Sequence, residues 1–241
     1  MKVTNIESVI PYLKGSRFIG IGYTAMCFLM NNGKVFKLYI ETFSKKNLFE
    51  CISNPIEHFS KINEIKNETY IAPDELLLKN GKVIGYLYDY INGKTLRRLN
   101  YSLDLLINSY DKLIEDTYKI SEQGFDLFDV HDKNILFDNK FRIIDLDKGE
   151  YKEYGTERIF NSNMSEINKT IIYNVFSEPR YKEIRFCDCD RKELYNQSLY
   201  TDVYKMKELL KDLKKVGTKR KQLTWRKDKV ITSYPSYYGG F

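Results

Sequence analysis

The chain has 241 residues, 42% of them hydrophobic and 30% charged. That is enough for one large domain or two small lobes around a real apolar core. No run approaches the roughly 20 apolar residues of a membrane span, and Met1 to Gly15 lacks the apolar stretch and cleavage site of a signal peptide. The four cysteines, Cys27, Cys51, Cys187 and Cys189, do not read as a secreted disulfide framework, so a reducing, cytoplasmic compartment is expected. The formal charge is +6, yet residues 211–229 alone carry nine Lys/Arg against two Asp. A solvated helix face running into a tail accounts for such a segment, and nucleic acid, a membrane surface or an acidic partner are what it would otherwise meet. Recruitment of an acidic partner is the functional expectation.

The first part, to about Tyr90, reads mostly as strands. Phe18–Met30 is an apolar run punctuated by glycine, Asn31-Asn32-Gly33 is a hairpin turn, and Val35–Ile40 is the returning strand. A second hairpin follows, Glu75–Leu78, Lys79-Asn80-Gly81 and Val83–Tyr88. Between them Asn54 caps a helix, Pro55 suits its first turn and Glu57 completes a capping box. Ile56, Phe59, Ile62 and Ile65 keep to one face of it. After Asn92-Gly93 the chain is mainly helical. Ser102 caps a long segment with Leu103, Leu106, Ile107, Tyr110, Leu113, Ile114 and Ile120 at helical spacing, stopped by Gly124. Leu199, Val203, Met206, Leu209, Leu210 and Leu213 mark another helix, closed by Gly217. Strands first and helices second predict a two-lobed α+β protein, with a cleft as the favoured place for a ligand.

The block from Phe125 to Gly149 carries the chemistry. Asp129 and Asn134 lie five apart on a loop. Ile135–Phe137, Asp138-Asn139-Lys140 and Phe141–Ile144 form a hairpin that should bring Asp145 back towards Asn134. An amide oxygen and a carboxylate are hard ligands suited to Mg²⁺. Asp129 could accept a proton from an attacking hydroxyl. Taken singly, each of these residues would be an ordinary turn former. Upstream, Gly20-Ile21-Gly22-Tyr23-Thr24-Ala25 gives G-x-G-x-x-A between two strands, so a dinucleotide-binding strand–turn–helix is disfavoured. Lys37, in the next strand, could reach nucleotide phosphates. His58 and His131 have no metal spacing, and Cys187-Asp188-Cys189 has no second cysteine pair.

In this order the pieces resemble the protein-kinase-like superfamily over about residues 15–150. Gly20-Ile21-Gly22 with Ala25 is similar to the Gly-rich loop, its third glycine replaced by alanine. Val35-Phe36-Lys37 resembles the V-A-I-K strand, and Tyr88-Asp89-Tyr90-Ile91-Asn92-Gly93 the hinge. Asp129 to Asn134 has the D-x-x-x-x-N spacing, and Asp145-Leu146-Asp147 stands where D-F-G is expected. The resemblance implies a bilobal fold, with an antiparallel-sheet N-lobe over 1–91, a helical C-lobe over 92–217 and a basic, Tyr-rich tail over 218–241.

The resemblance further implies an ATP- and Mg²⁺-dependent phosphotransferase. Gly20, Gly22 and Ala25 would cover ATP. Lys37 would pair with phosphates and with a helix carboxylate, Glu57 or else Glu50. Asp89 and Ile91 would bind adenine through backbone groups. Asn134 and Asp145 would hold Mg²⁺, Asp129 would deprotonate the acceptor and Lys133 would touch the γ-phosphate. Leu127-Phe128 stands in place of the His-Arg of H-R-D, and Asp147 in place of the glycine of D-F-G. A minimal, atypical kinase acting on Ser/Thr of proteins, itself included, is the expected class. His131 resembles the loop of aminoglycoside and choline phosphotransferases, which keeps a small-molecule kinase as the alternative. A nucleotide-binding pseudokinase scaffold is the third reading.

Overall fold

The first hairpins form where the turn residues allow a left-handed backbone. Gly33 has φ +78°, while Asn80 and Gly81 have φ +51° and +75° between strand partners Lys79 and Lys82. Two successive positive φ values match the natural twist of a two-residue hairpin. These turns, in a computed structural model that describes residues 1–22, 24–40, 54–96, 103–177 and 202–217, build a mixed α+β protein. Tyr23, Glu50, Ser102, Leu199, Trp225, three of the cysteines and residues 218–241 lie outside the described residues. The chain divides into two compact units: Met1–Asn92 with Asp145–Asp147, and Gly93–Ile144 with Lys148 onward.

The first unit is a six-stranded sheet. In chain order it contains β1 (Lys2–Asn5), the helical turn α1 (Ile10–Leu13), β2 (Arg17–Ile21), β3 (Ala25–Leu29) and β4 (Lys34–Tyr39). Helix α2 (Pro55–Glu64), β5 (Glu75–Lys79) and β6 (Lys82–Asp89) complete it. The order across the sheet is β1-β5-β6-β4-β3-β2, antiparallel except for β1 beside β5. β1 and α1 were not foreseen.

Side chains alternate across the strands and give the sheet two different faces. Met30, Phe36, Leu77 and Leu87 bury one face against Val9, with Ile6 and Leu13 beside it. The other face carries Ala25, Val35, Lys37, Tyr39, Tyr86 and Tyr88, all buried. Phe59 of α2 packs on that face, with its ring 5.5 Å from Tyr86. Asn54 caps α2 as expected, its side chain accepting from Glu57 N, with Pro55 at the first turn.

Two irregularities shape the sheet. Phe18 opposes Phe28 and Gly20 opposes Cys27, so Ile19 is an extra residue in β2. Leu77 opposes Gly85 and Leu78 opposes Val83, so Ile84 is an extra residue in β6. Such bulges bend and twist a strand. At one end of the sheet Lys34 bonds Asp74 at 2.6 Å and Asp89 at 2.5 Å, and Lys66 bonds Asp74 at 2.5 Å.

The second unit is built on α3 (Leu103–Glu122), which packs against both α4 (Thr156–Ser177) and α5 (Val203–Gly217). Gly124, at φ +80°, ends α3. Strands β7 (Lys94–Thr95), β9 (Ile135–Phe137) and β10 (Phe141–Ile143) form a small sheet in the order β10-β9-β7. β8 (Phe125–Asp126) pairs with β11 (Glu150–Tyr151). α4 is a 22-residue helix the sequence pattern did not announce. Among the described residues no helix is long and apolar enough to cross a membrane.

Gly85 lets β6 pass close behind Lys37. A Cβ there would collide with the Lys37 carbonyl oxygen and lie 3.1 Å from the Phe36 ring. Gly85→Ala is therefore expected to cost about 2 kcal/mol, since forced overpacking costs roughly 1–3. Gly155→Ala, where nothing lies within 4 Å, should change stability by less than about 0.5 kcal/mol. Urea unfolding of the two variants checks this.

Candidate functional site

A row of directly opposed residues crosses the first unit's sheet. Gly20 pairs with Cys27, Cys27 with Lys37, and Lys37 with Tyr86. Opposed residues share a face, so the Lys37 side chain and the bare backbone of Gly20 look out on the same side, two strands apart. Lys37 is 6% exposed. A buried ammonium needs partners, and it has several. Its Nζ bonds Asp147 Oδ2 at 2.8 Å and pairs with Asp145 Oδ1. The rings of Tyr39 and Tyr86 stand together beside it, 6.0 Å apart, each centroid 5.3 Å from Nζ. The Tyr39 hydroxyl donates to Asp147, and the Tyr86 hydroxyl donates to Asp145 at 3.3 Å.

The ionisations follow from this cage. Burial pulls the Lys37 ammonium down, but the carboxylates of Asp147 and Asp145 reverse that and hold it above the ordinary lysine range. Burial pushes Asp147 up, and Lys37 more than offsets this, so Asp147 stays ionised. Asp145 is pushed up by burial and by the charge of Asp147, although its side chain is still 30% exposed to water. Burial, then Asp147, keeps Tyr39 and Tyr86 neutral and donating. Burial also raises the Cys27 thiol, so it is no thiolate nucleophile.

The glycines of the first hairpin are not required by conformation or by crowding. Neither Gly20 nor Gly22 has positive φ. A Cβ on Gly20 would meet nothing within 4 Å, and one on Gly22 only Ala25 O at 3.7 Å. Gly22 N donates to Ala25 O at 2.8 Å and closes the turn. Ala25 is a buried strand residue opposite Tyr39. Beyond the sheet, Asp89 ends β6 opposite Lys34, Tyr90 N donates to Gly33 O, and Ile91 follows half-buried.

Glu57 is not beside Lys37. Its carboxylate takes Lys61 at 3.1 Å and Asn54 Nδ2 at 3.2 Å, with the side chain 58% exposed. The capping box satisfies it, so the expected Lys37–Glu57 pair does not form. The residue of α2 that reaches the cage is His58, whose Nε2 lies 3.0 Å from the Asp147 carbonyl.

The second unit holds the loop Asp129–Asn134. Asp129 sits at φ +63°, and its carboxylate pairs with Lys148 through Oδ2. His131 Nε2 is 4.0 Å from the other oxygen, Oδ1. Asn134 Nδ2 donates to Asp129 O at 3.1 Å, which turns its amide oxygen the other way. The loop closes as His131 O accepts from Asn134 N at 2.9 Å, and Lys133 is exposed. The expected hairpin forms, Ile143 opposite Ile135, and Ile144 N donates to Asn134 O at 2.9 Å. Asp145 is the next residue and takes φ +68°.

Helix α4 holds the start of this loop at points on either side of Asp129. Asn163 is fully buried. It accepts from Leu127 N at 2.7 Å and donates to Phe125 O at 2.9 Å and Ser121 Oγ at 3.1 Å. Thr170 donates to Val130 O at 3.2 Å. Lys148, Asn163 and Thr170 were missed by the sequence reading. Asn163 and Asn168 stand in the buried stripe of α4 and break its apolar pattern, while Lys148 lies outside any motif.

No ligand-like cluster of three His, Cys, Asp or Glu occurs among the described residues. Mg²⁺ does not require one, because it is commonly held by one or two carboxylates together with substrate phosphates. The Asp145 carboxylate in the first unit and, taken by itself, the Asn134 amide oxygen in the second are hard donors of that type. Asp147 Oδ1, buried and without a hydrogen-bond donor, is a further oxygen of the same kind. No protein-family model matches the chain, and no curated protein matches it.

Asn163→Ala removes a partner from Leu127 N and from Phe125 O, and one of the two partners of the Ser121 hydroxyl. Buried groups left unpaired cost about 1–3 kcal/mol each, so a loss of about 3 kcal/mol is expected. Amide exchange should show Leu127 losing protection while the Met26 and Phe28 amides of the other unit keep theirs.

Proposed function

We propose that the protein is an ATP-dependent phosphotransferase with a bilobal, protein-kinase-like arrangement, acting on Ser or Thr hydroxyls of proteins. The observation that carries this reading is Lys37. It is a buried, caged ammonium in strand register with a hairpin whose glycines leave a bare backbone on the same face. Phosphate oxygens passing under Gly20 and Gly22 would meet backbone rather than side chains, and Lys37 would pair with them. The edge formed by Asp89 to Ile91 would take adenine through main-chain groups.

Asn134 and Asp145 would hold Mg²⁺, which when bound neutralises phosphate charge. Asp129 would act as the base. Its Oδ2 is occupied by Lys148, so Oδ1 is the oxygen that would take the acceptor's proton. The acceptor oxygen would bond to Pγ, the bond from Pγ to the bridging oxygen would break, and ADP would leave. Lys148 holds Asp129 in place through their ion pair. Lys133, being exposed, stands as a contact to the γ-phosphate only when ATP is bound.

The test is γ-phosphate transfer from labelled ATP with Mg²⁺, read as self-phosphorylation and against small hydroxyl acceptors. Phosphorylation confined to a sugar, choline-like or aminoglycoside hydroxyl would favour the small-molecule reading. Binding without transfer would favour the scaffold. Asp129→Asn should keep nucleotide binding and lower transfer by at least about 10²-fold. Gly20→Ala and Gly22→Ala should leave the melting temperature within about 2 °C, because a Cβ there meets nothing closer than 3.7 Å, yet weaken ATP binding about tenfold or more. A thermal-shift titration with MgATP measures both quantities.

A further inference from the structure

We propose that Asp147, rather than a glutamate of helix α2, is the residue that positions Lys37. The proposal rests on the reading of Lys37 as a phosphate-binding group. Asp147 and Lys37 are 2.8 Å apart, with side chains 2% and 7% exposed. The same Asp147 oxygen also takes the Tyr39 hydroxyl. Lys37 and Tyr39 are alternate residues of β4, so one strand grips the carboxylate at two points. The α2 carboxylates Glu57 and Glu64 are both exposed, and Glu57 is engaged with Lys61 and Asn54.

Helix α2 touches this arrangement through a different group. His58 Nε2 must carry the proton it shares with the Asp147 carbonyl, because a carbonyl only accepts. The helix therefore bears on the backbone of Asp147, and Asp147 bears on Lys37. Asp147 is two residues from Asp145, so a single short turn sets both the lysine and the proposed Mg²⁺ ligand. In a chain with glycine at 147, that turn would carry no second carboxylate. Here the second carboxylate makes the lysine's geometry independent of a helix glutamate.

The first experiment needs no nucleotide. Lys37→Met alone leaves Asp145 and Asp147 facing each other without their cation. Adding Asp147→Asn should restore at least half of the melting temperature lost, whereas adding Glu57→Gln should restore none. Additive losses for Lys37→Met and Asp147→Asn would overturn the proposal. The second experiment compares ligands. Asp147→Asn should weaken ATP binding at least fivefold and leave adenosine binding within twofold, because Lys37 meets only phosphates. Equal loss of both ligands would mean that Asp147 merely supports the fold, and would overturn the proposal. Glu57→Gln and Glu50→Gln should each leave ATP affinity within twofold, and a fivefold loss in either would also overturn it. If Asp147→Asn does not fold alone, the double variant and the two glutamate variants still decide. If the wild-type protein binds neither ATP nor adenosine, the phosphotransferase reading fails, while the stability cycle still reports whether Asp147 holds Lys37.

Discussion

The Lys37 ammonium, buried under a sheet face with two aspartates and two tyrosines around it, is the constraint on which the first unit turns. A lone buried ammonium costs several kcal/mol even after relaxation. Asp145 and Asp147 must therefore reach it, although they lie 108 and 110 residues along the chain. Tyr39 and Tyr86 stand together beside it, Phe59 packs on Tyr86, and Gly85 lets the strand behind come near. Removing one partner alone would be costly, but charged groups are not the only way to fill such a space. Buried ion pairs replaced by apolar groups of similar volume often leave a protein equally stable or more so. On the phosphotransferase reading proposed above, the cage would hold the ammonium ready for a partner with more negative charge.

Backbone conformation supports the same view from a different side. Four described non-glycine residues have positive φ: Asn80, Asp129, Asn139 and Asp145. Asn80 and Asn139 are hairpin turn residues, for which the left-handed region is the turn's own requirement. Asp129 and Asp145 serve no two-residue hairpin turn, yet they hold a conformation that glycine would adopt without cost. Strained residues of this kind persist where the surroundings over-determine them, and they gather at functional sites. The surroundings here are specific: α4 pins Leu127 and Val130 on either side of Asp129, and Lys37 and Tyr86 pin the carboxylate of Asp145.

Much of this was legible in the sequence where the signal is local. The three hairpins follow from Asn-Gly and Asp-Asn turns, and α2 follows from Asn54-Pro55 and its apolar face. What needed the structure is what depends on distant partners. β1 is four residues long, is largely exposed and pairs in parallel with a strand some seventy residues on. α4 was hidden by asparagines on its buried side, which act as hydrogen-bonding clamps rather than as apolar contacts. Glu57 carries both a capping signal and a resemblance to a lysine partner. The capping geometry wins because Asn54 and Lys61 lie within one turn of it, and local bonds close without any cost of bringing distant segments together.

The glycines separate what the fold needs from what a ligand would need. Gly33 and Gly81 are fixed by turn geometry, and Gly85 and Gly149 by the groups a side chain would strike. Gly20 and Gly22 meet neither requirement. Gly20 follows the bulged Ile19 in β2, a place where a strand often carries glycine, and Gly22 closes the turn onto Ala25 O. On the function proposed above, a polyanion laid over the hairpin would be a further use for them, since the Gly20 backbone stands in the same cross-strand row as the one buried lysine of the described sheet.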